Sequence, residues 1–130
     1  MATHKFELKV GLKLEDKLYK HVELRAVTAG DVIDAQEESE RLVHTLQNGV
    51  PTPVLVTSPS LVAVNVLRRQ IVRIGNIEGP LDIDVMRKFD ITDFEMIQDE
   101  AAKLDIAMAA TRAVSEVTER GRDDGGGGGP

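Results

Sequence analysis

The stretch FELKVGLKLEDKLYKHVELRAV, residues 6–27, reads as two short amphipathic runs folded back on each other. Phe6, Leu8, Val10, Leu12 and Leu14 alternate with polar residues or glycine, and Leu18, Val22, Leu24 and Ala26 resume the pattern after a charged turn at 15–17. Period-two alternation broken by such a turn predicts an antiparallel β-hairpin over 6–26 with one apolar face. A hairpin alone is marginal in water, so the rest of the chain must cover that face.

The cover reads as helical. Thr28, with Asp31 three residues on, has the form of a capping box, and Val32, Ala35, Leu42, Val43 and Leu46 make a narrow apolar stripe. With Asn48 and Gly49 as a stop signal, this predicts a helix over about 29–47. Residues 50–60 hold three of the five prolines and read as an extended connector, to which 54–56 could add a short strand. Ser58 and Pro59 are a cap and first-turn pair opening a helix over 59–75, with Leu61, Val64, Leu67, Ile71 and Ile74 on one face and Gly75 at its end. Thr92 with Glu95 suggests a second capping box. From there Phe94, Ile97, Ala101, Leu104 and Met108 fall at spacings of three and four, predicting a helix over 93–119 with Val114 and Val117 on a slightly displaced face. The expected architecture is α+β: one domain, 1–120, with an N-terminal antiparallel β-hairpin packed against a bundle of three main helices, then a disordered Gly-rich tail, 121–130.

Composition narrows the chemistry. A chain of 130 residues, 42% hydrophobic and 29% charged, fits one domain that folds without disulfide or metal. It has no cysteine, which excludes thiolate chemistry and Cys-type zinc sites and fits a reducing cytosol. Twenty-two acidic against 16 basic residues give a net charge of -6, and aromatic content is 3% with no Trp, so nucleic acid and anionic membrane are poor partners. The start has no apolar run resembling a signal peptide, and no stretch approaches the length of a membrane span.

Catalytic patterns are missing. His4, His21 and His44 lack ligand-spaced neighbours, Ser39, Ser58, Ser60 and Ser115 lack a nucleophile elbow, and the single glycine of TAGD at 28–31 is too little for a phosphate cradle. No catalytic, cofactor-binding or metal residue is assigned. Two features invite a partner instead. Arg68, Arg69 and Arg73 concentrate positive charge on an apolar segment; they read as a solvated or ion-paired edge, or as a contact with an acidic partner or with the chain's own acidic stretch at 37–40. The small-residue run AMAATRAVSEV, 107–117, packs in the core or forms an adaptable groove for another helix. The partner-binding residues expected on these grounds are Arg69, Arg73, Met108 and Val114.

LRAVTAGDVIDA at 24–35, directly after the hairpin, followed by RRQIVRIGNIEGPL at 68–81 and MRKFDITDFEMIQDEAAKLD at 86–105, resembles the tail assembly chaperones of Mu-like and P2-like contractile-tailed phages. The resemblance covers about residues 6–118 in order and spacing; Val27 departs from it, standing where proline often precedes the threonine. It implies a non-catalytic protein of the host cytoplasm that binds the tape measure protein, keeps it soluble, promotes tail tube assembly around it and is absent from the mature virion. It also implies the tail tube protein and a frameshifted longer form of the chain as further partners, and leaves homo-oligomerisation open. The five glycines at 125–129 fit such a frameshift, because every glycine codon begins GG and a G tract lets paired tRNAs slip. A flexible tail or a linker would read the same. The alternative function is a minor structural subunit of the tail or virion.

Overall fold

The computed structural model describes the backbone of residues 3–123 and the side chains of residues 3–114. β1 (Thr3–Leu14) and β2 (Lys17–Arg25) form the expected antiparallel hairpin. β2 also pairs with β5 (Ile71–Ile74) and β5 with β6 (Ile77–Glu78), giving a four-stranded antiparallel sheet ordered β1-β2-β5-β6. Leu8, Leu12, Val22, Leu24, Ile71 and Ile74 from the sheet bury against Leu67 of α2 (Pro59–Gln70), Met86 of α3 (Ile83–Met86), and Ile97 and Ala101 of α4 (Ile91–Asp123). Leu81 and Phe89 close the cluster from the connecting segments.

The alternation read in β1 holds only in part. Between the pairs Glu7↔His21 and Leu12↔Tyr19, β1 has four residues where β2 has one, so the surplus bulges out of the ladder. Leu8 and Leu12 are buried while Val10 is 50% exposed, and on β2 Tyr19 packs on the core in place of the exposed Leu18. Gly11 makes the bulge feasible: it takes φ 97°, and a Cβ there would lie 2.9 Å from the Leu18 side chain.

A bundle of three main helices is not what the chain forms. α1 (Ala29–Glu38) starts as expected, with Thr28 and Asp31 in a reciprocal capping box, but it ends at Ser39, whose hydroxyl donates to the Ala35 carbonyl. The second half of the expected 29–47 helix is β3 (Glu40–Gln47), paired along its length with β4 (Val50–Thr57) as a separate two-stranded sheet. Asn48 and Gly49 have φ of 54° and 78°, the paired positive values of a type I′ hairpin turn, so they reverse a strand and do not stop a helix. The expected 59–75 helix is likewise divided. Ser58 caps it through the Leu61 amide and Pro59 occupies its first turn, yet it ends at Gln70, and the β-branched run from Ile71 joins the sheet. α4 begins before Thr92: the Thr92 amide donates to Asp90 Oδ1 at 2.9 Å, so Asp90 supplies the acceptor expected of Thr92. It runs to Asp123, past the expected end at 119 and through the first residues assigned to a disordered tail. The five glycines at 125–129 lie outside the described residues.

Candidate partner-binding surface

The arginines are engaged within the chain. Arg68 and Arg69, in the last turn of α2, both reach the Glu38 carboxylate at the end of α1, and so join the two helices. Arg68 also holds Asn65 Oδ1 at 2.9 Å and the Leu81 carbonyl at 3.1 Å, and Arg69 holds the Asn65 carbonyl at 2.8 Å. Partial burial pushes the Glu38 carboxyl up, but hydrogen bonds and charge from the two guanidinium groups outweigh it and hold its pKa below the ordinary value. Of the two sequence readings, contact with the chain's own acidic stretch is the one these atoms make. Arg73 lies elsewhere, on the outer face of the sheet, between Glu23 at 2.6 Å and Glu78 at 3.3 Å. Its side chain is 42% exposed, against 12% for Arg69, so it is the more reachable cation. It lines an open cleft of about 480 Å³ with Lys5, Glu7, His21 and Glu23.

Met108 and Val114 belong to a different feature. α4 is fixed to the body along its first half: Asp93 accepts from β1 amides, Glu100 meets His4 at 2.7 Å, and Asp105 accepts from the Val27 amide at 2.9 Å and from Gln70 Nε2 at 3.2 Å. Beyond Asp105 the helix leaves the sheet. Ile106 and Val114 are 70% and 67% exposed, and Met108 is half-buried at the point of departure. The small-residue run at 107–114 is therefore surface, and the core reading of it does not hold over those residues. The four expected contact residues share no hydrogen bond or ion pair: Arg69 sits at the α1–α2 junction, Arg73 on the sheet, and Met108 and Val114 on the overhang.

The β3–β4 arm was not anticipated as a surface, and it is rich in exposed apolar side chains. Leu42, Val43, Leu46, Val50, Leu55 and Val56 are all exposed, six of the thirteen exposed large hydrophobic side chains among the described residues. The signal was present in the Asn48-Gly49 pair between two runs rich in Val, Leu and Thr.

Nothing assembles a reaction centre among the described residues. No group of three metal-capable side chains converges, and every buried polar side-chain atom has a partner. The lowered pKa values of Glu23, Asp31 and Glu38 follow from structural contacts: Thr3 and Arg73 on Glu23, Arg25 and Thr28 on Asp31, and the α2 arginines on Glu38.

A family model described as tail assembly protein gp41 matches residues 8–122. The chain is 42% identical over 108 residues to a probable tail assembly protein gp41 of Escherichia phage Mu, covering 83% of this chain and 69% of that protein. It is 34% identical over 120 residues to a Mu-like prophage FluMu protein gp41 of Haemophilus influenzae, covering 92% and 88%. A probable tail assembly protein FS-gp41 of phage Mu is 41% identical over 97 residues; the match covers 75% of this chain and spans 50% of that relative's length. No solved structure matches.

Proposed function

The chain belongs to the tail assembly protein gp41 family, and from that premise we propose that it serves phage tail assembly as a non-catalytic chaperone of the tape measure protein. The observation that carries this reading is the overhang of α4, a helix end held clear of the body with Ile106, Met108 and Val114 on it. A long helical client exposes an apolar stripe until it is enclosed, and such stripes aggregate. A projecting helix with small and apolar side chains can lie along that stripe, and the net charge of -6 keeps the complex soluble. Met108 and Val114 are the contacts proposed. Arg73 supports an acidic contact if it exchanges Glu23 and Glu78 for the client, and Arg69 does so only by releasing Glu38. In this reading the protein acts in the host cytoplasm, brings tail tube subunits to the client, leaves before the virion is complete, and has a longer frameshifted counterpart.

Co-expression with the tape measure protein tests it. The expected result is more soluble tape measure protein, co-eluting with the chain, and loss of both on Val114→Glu. Stoichiometric presence of the chain in purified particles would instead favour a structural subunit of the tail.

A further inference from the structure

Among the described residues the β3–β4 arm has no cover from its own chain. It packs on no other described element beyond marginal contact, every residue of β3 is exposed, and on β4 only Thr52 and Val54 are half-buried. Two strands alone are marginal in water, whereas three or more with an apolar face are stable, so a further strand would stabilise the arm.

Its two edges differ. Gln47 and Val50 close the two-residue turn, and the ladder alternates outward from them. Pro51 and Pro53 fall at the positions whose amides would point away from β3, where proline is tolerated, and they blunt that edge of β4. Their partners across the ladder, Leu46 and His44, and Leu42 opposite Leu55, point their amides outward from β3, and there no proline intervenes. The β4 edge is therefore blunted next to the turn, at Pro51 and Pro53, and keeps outward amides only at Leu55 and Thr57, whereas the β3 edge keeps all of its outward amides.

We propose that the β3 edge pairs with a second copy of this chain, β3 against β3 across a twofold axis, forming a four-stranded sheet ordered β4-β3-β3-β4. Three observations select this occupant. An edge offers backbone hydrogen bonds that a strand can meet and a helix, with its own amides paired, cannot. Pairing through β3 leaves only the proline-blunted β4 edges outermost, which disfavours growth beyond two copies, where two unblunted edges would give an open-ended fibre. Charge agrees: Glu40 and Arg41 cancel and residues 42–57 carry no Asp, Glu, Lys or Arg, so copies meeting through the arm keep apart bodies that bear the whole net charge of -6.

Sedimentation across a concentration series should give twice the monomer mass. His44→Pro, which copies onto β3 the device that blunts β4, should weaken association ~100-fold through loss of edge hydrogen bonds while far-UV circular dichroism and the melting temperature of the body stay unchanged. Because the chain has no cysteine, a single one can bridge only to another copy. Among Leu42→Cys, His44→Cys and Leu46→Cys, the variant nearest the axis should form a disulfide dimer on mild oxidation, and Lys17→Cys, at the other hairpin, should not. A wild-type chain that stays monomeric to ~100 µM, which puts Kd far above that of a specific dimer, overturns the proposal. So does a dimer indifferent to His44→Pro whose β3 cysteines cross-link no better than Lys17→Cys. Protection of arm amides from exchange only when purified tape measure protein is added would assign the arm to that protein instead, and would equally overturn it.

Discussion

Asp93 is fully enclosed, and its carboxylate takes the amide hydrogens of Lys9, Val10 and Gly11 at 2.9, 3.1 and 2.7 Å. These are the amides that the β1 bulge removes from the ladder, so one side chain at the start of α4 satisfies what the strand pair cannot. Asp93→Asn keeps the shape but replaces an acceptor with a donor facing buried N–H groups. It should lower stability by about 2–4 kcal/mol in urea denaturation, given the cost of unpaired buried groups and of lost charge-assisted bonds. An unchanged midpoint would mean the amides find water. Thr28→Ala should cost about 1 kcal/mol through loss of the α1 cap. Asp31 adds a pH dependence: the hydrogen bond from Arg25, opposed by burial and reinforced by Thr28, holds its pKa below the ordinary value. Its contribution is therefore complete above the unfolded pKa of about 4 and is lost as pH falls through the lower folded value. Thermal melts from pH 6 down to pH 2 should show the loss, and Arg25→Met should flatten it. The two carboxylates also differ in legibility. The Thr28–Asp31 box lies within four residues and can be read from the sequence, whereas Asp93 meets a strand 84 positions away.

At the scale of elements, the segment 40–57 shows why one reading of a sequence can mislead. Leu42, Val43 and Leu46 suit a helical stripe, and Asn48-Gly49 suits a helix stop, so local pattern alone does not separate helix from strand. What decides is the second run, Val50–Thr57, against which the first pairs, and the positive φ that both turn residues adopt. Ile71, Val72 and Ile74 erred in the same direction, because β2 was available to receive them. The β1–β2 hairpin was legible from its alternation and charged turn, β3–β4 was not because its turn reads equally as a helix stop, and β5 was not because its partner β2 lies in a distant segment. Gly49 is the sensitive point of the arm. With φ 78° and open space around it, Gly49→Ala should strain the backbone by roughly 1 kcal/mol without a clash. Faster amide exchange confined to β3 and β4, with the body unaffected, is the expected readout. On α4, Val114→Glu should leave the melting temperature within about 2 °C of wild type, since an exposed substitution rarely exceeds half a kcal/mol.

At the scale of the whole molecule, the arm is free of net charge. The body carries the net charge of -6, and the neutral arm carries six of the exposed large hydrophobic residues. If copies meet through the arm, salt should strengthen association by screening the bodies from each other, opposite to an interface built on ion pairs. Sedimentation at 20 mM and at 300 mM NaCl, concentrations on either side of the ~0.1 M at which the Debye length is about 10 Å, checks the sign. The candidate surfaces were only partly legible. Met108 and Val114 were singled out by their spacing, and the sequence left core and surface open because helical periodicity says which residues share a face and not whether that face is covered. The arm was missed with its fold.

The length of α4 has a mechanical consequence. At 1.5 Å per residue its 33 residues extend about 50 Å, and the part beyond Asp105 about 27 Å. That part is a cantilever whose clamp is the grip of Asp105 on Val27 and Gln70. A load at the free end turns about this clamp with the leverage of its full length, so small changes at Gln70 translate into large displacements at the tip. Gln70→Ala should therefore widen the distribution of distances from the sheet to the end of the rod, measured by paired spin labels at residues 17 and 114, more than it lowers stability.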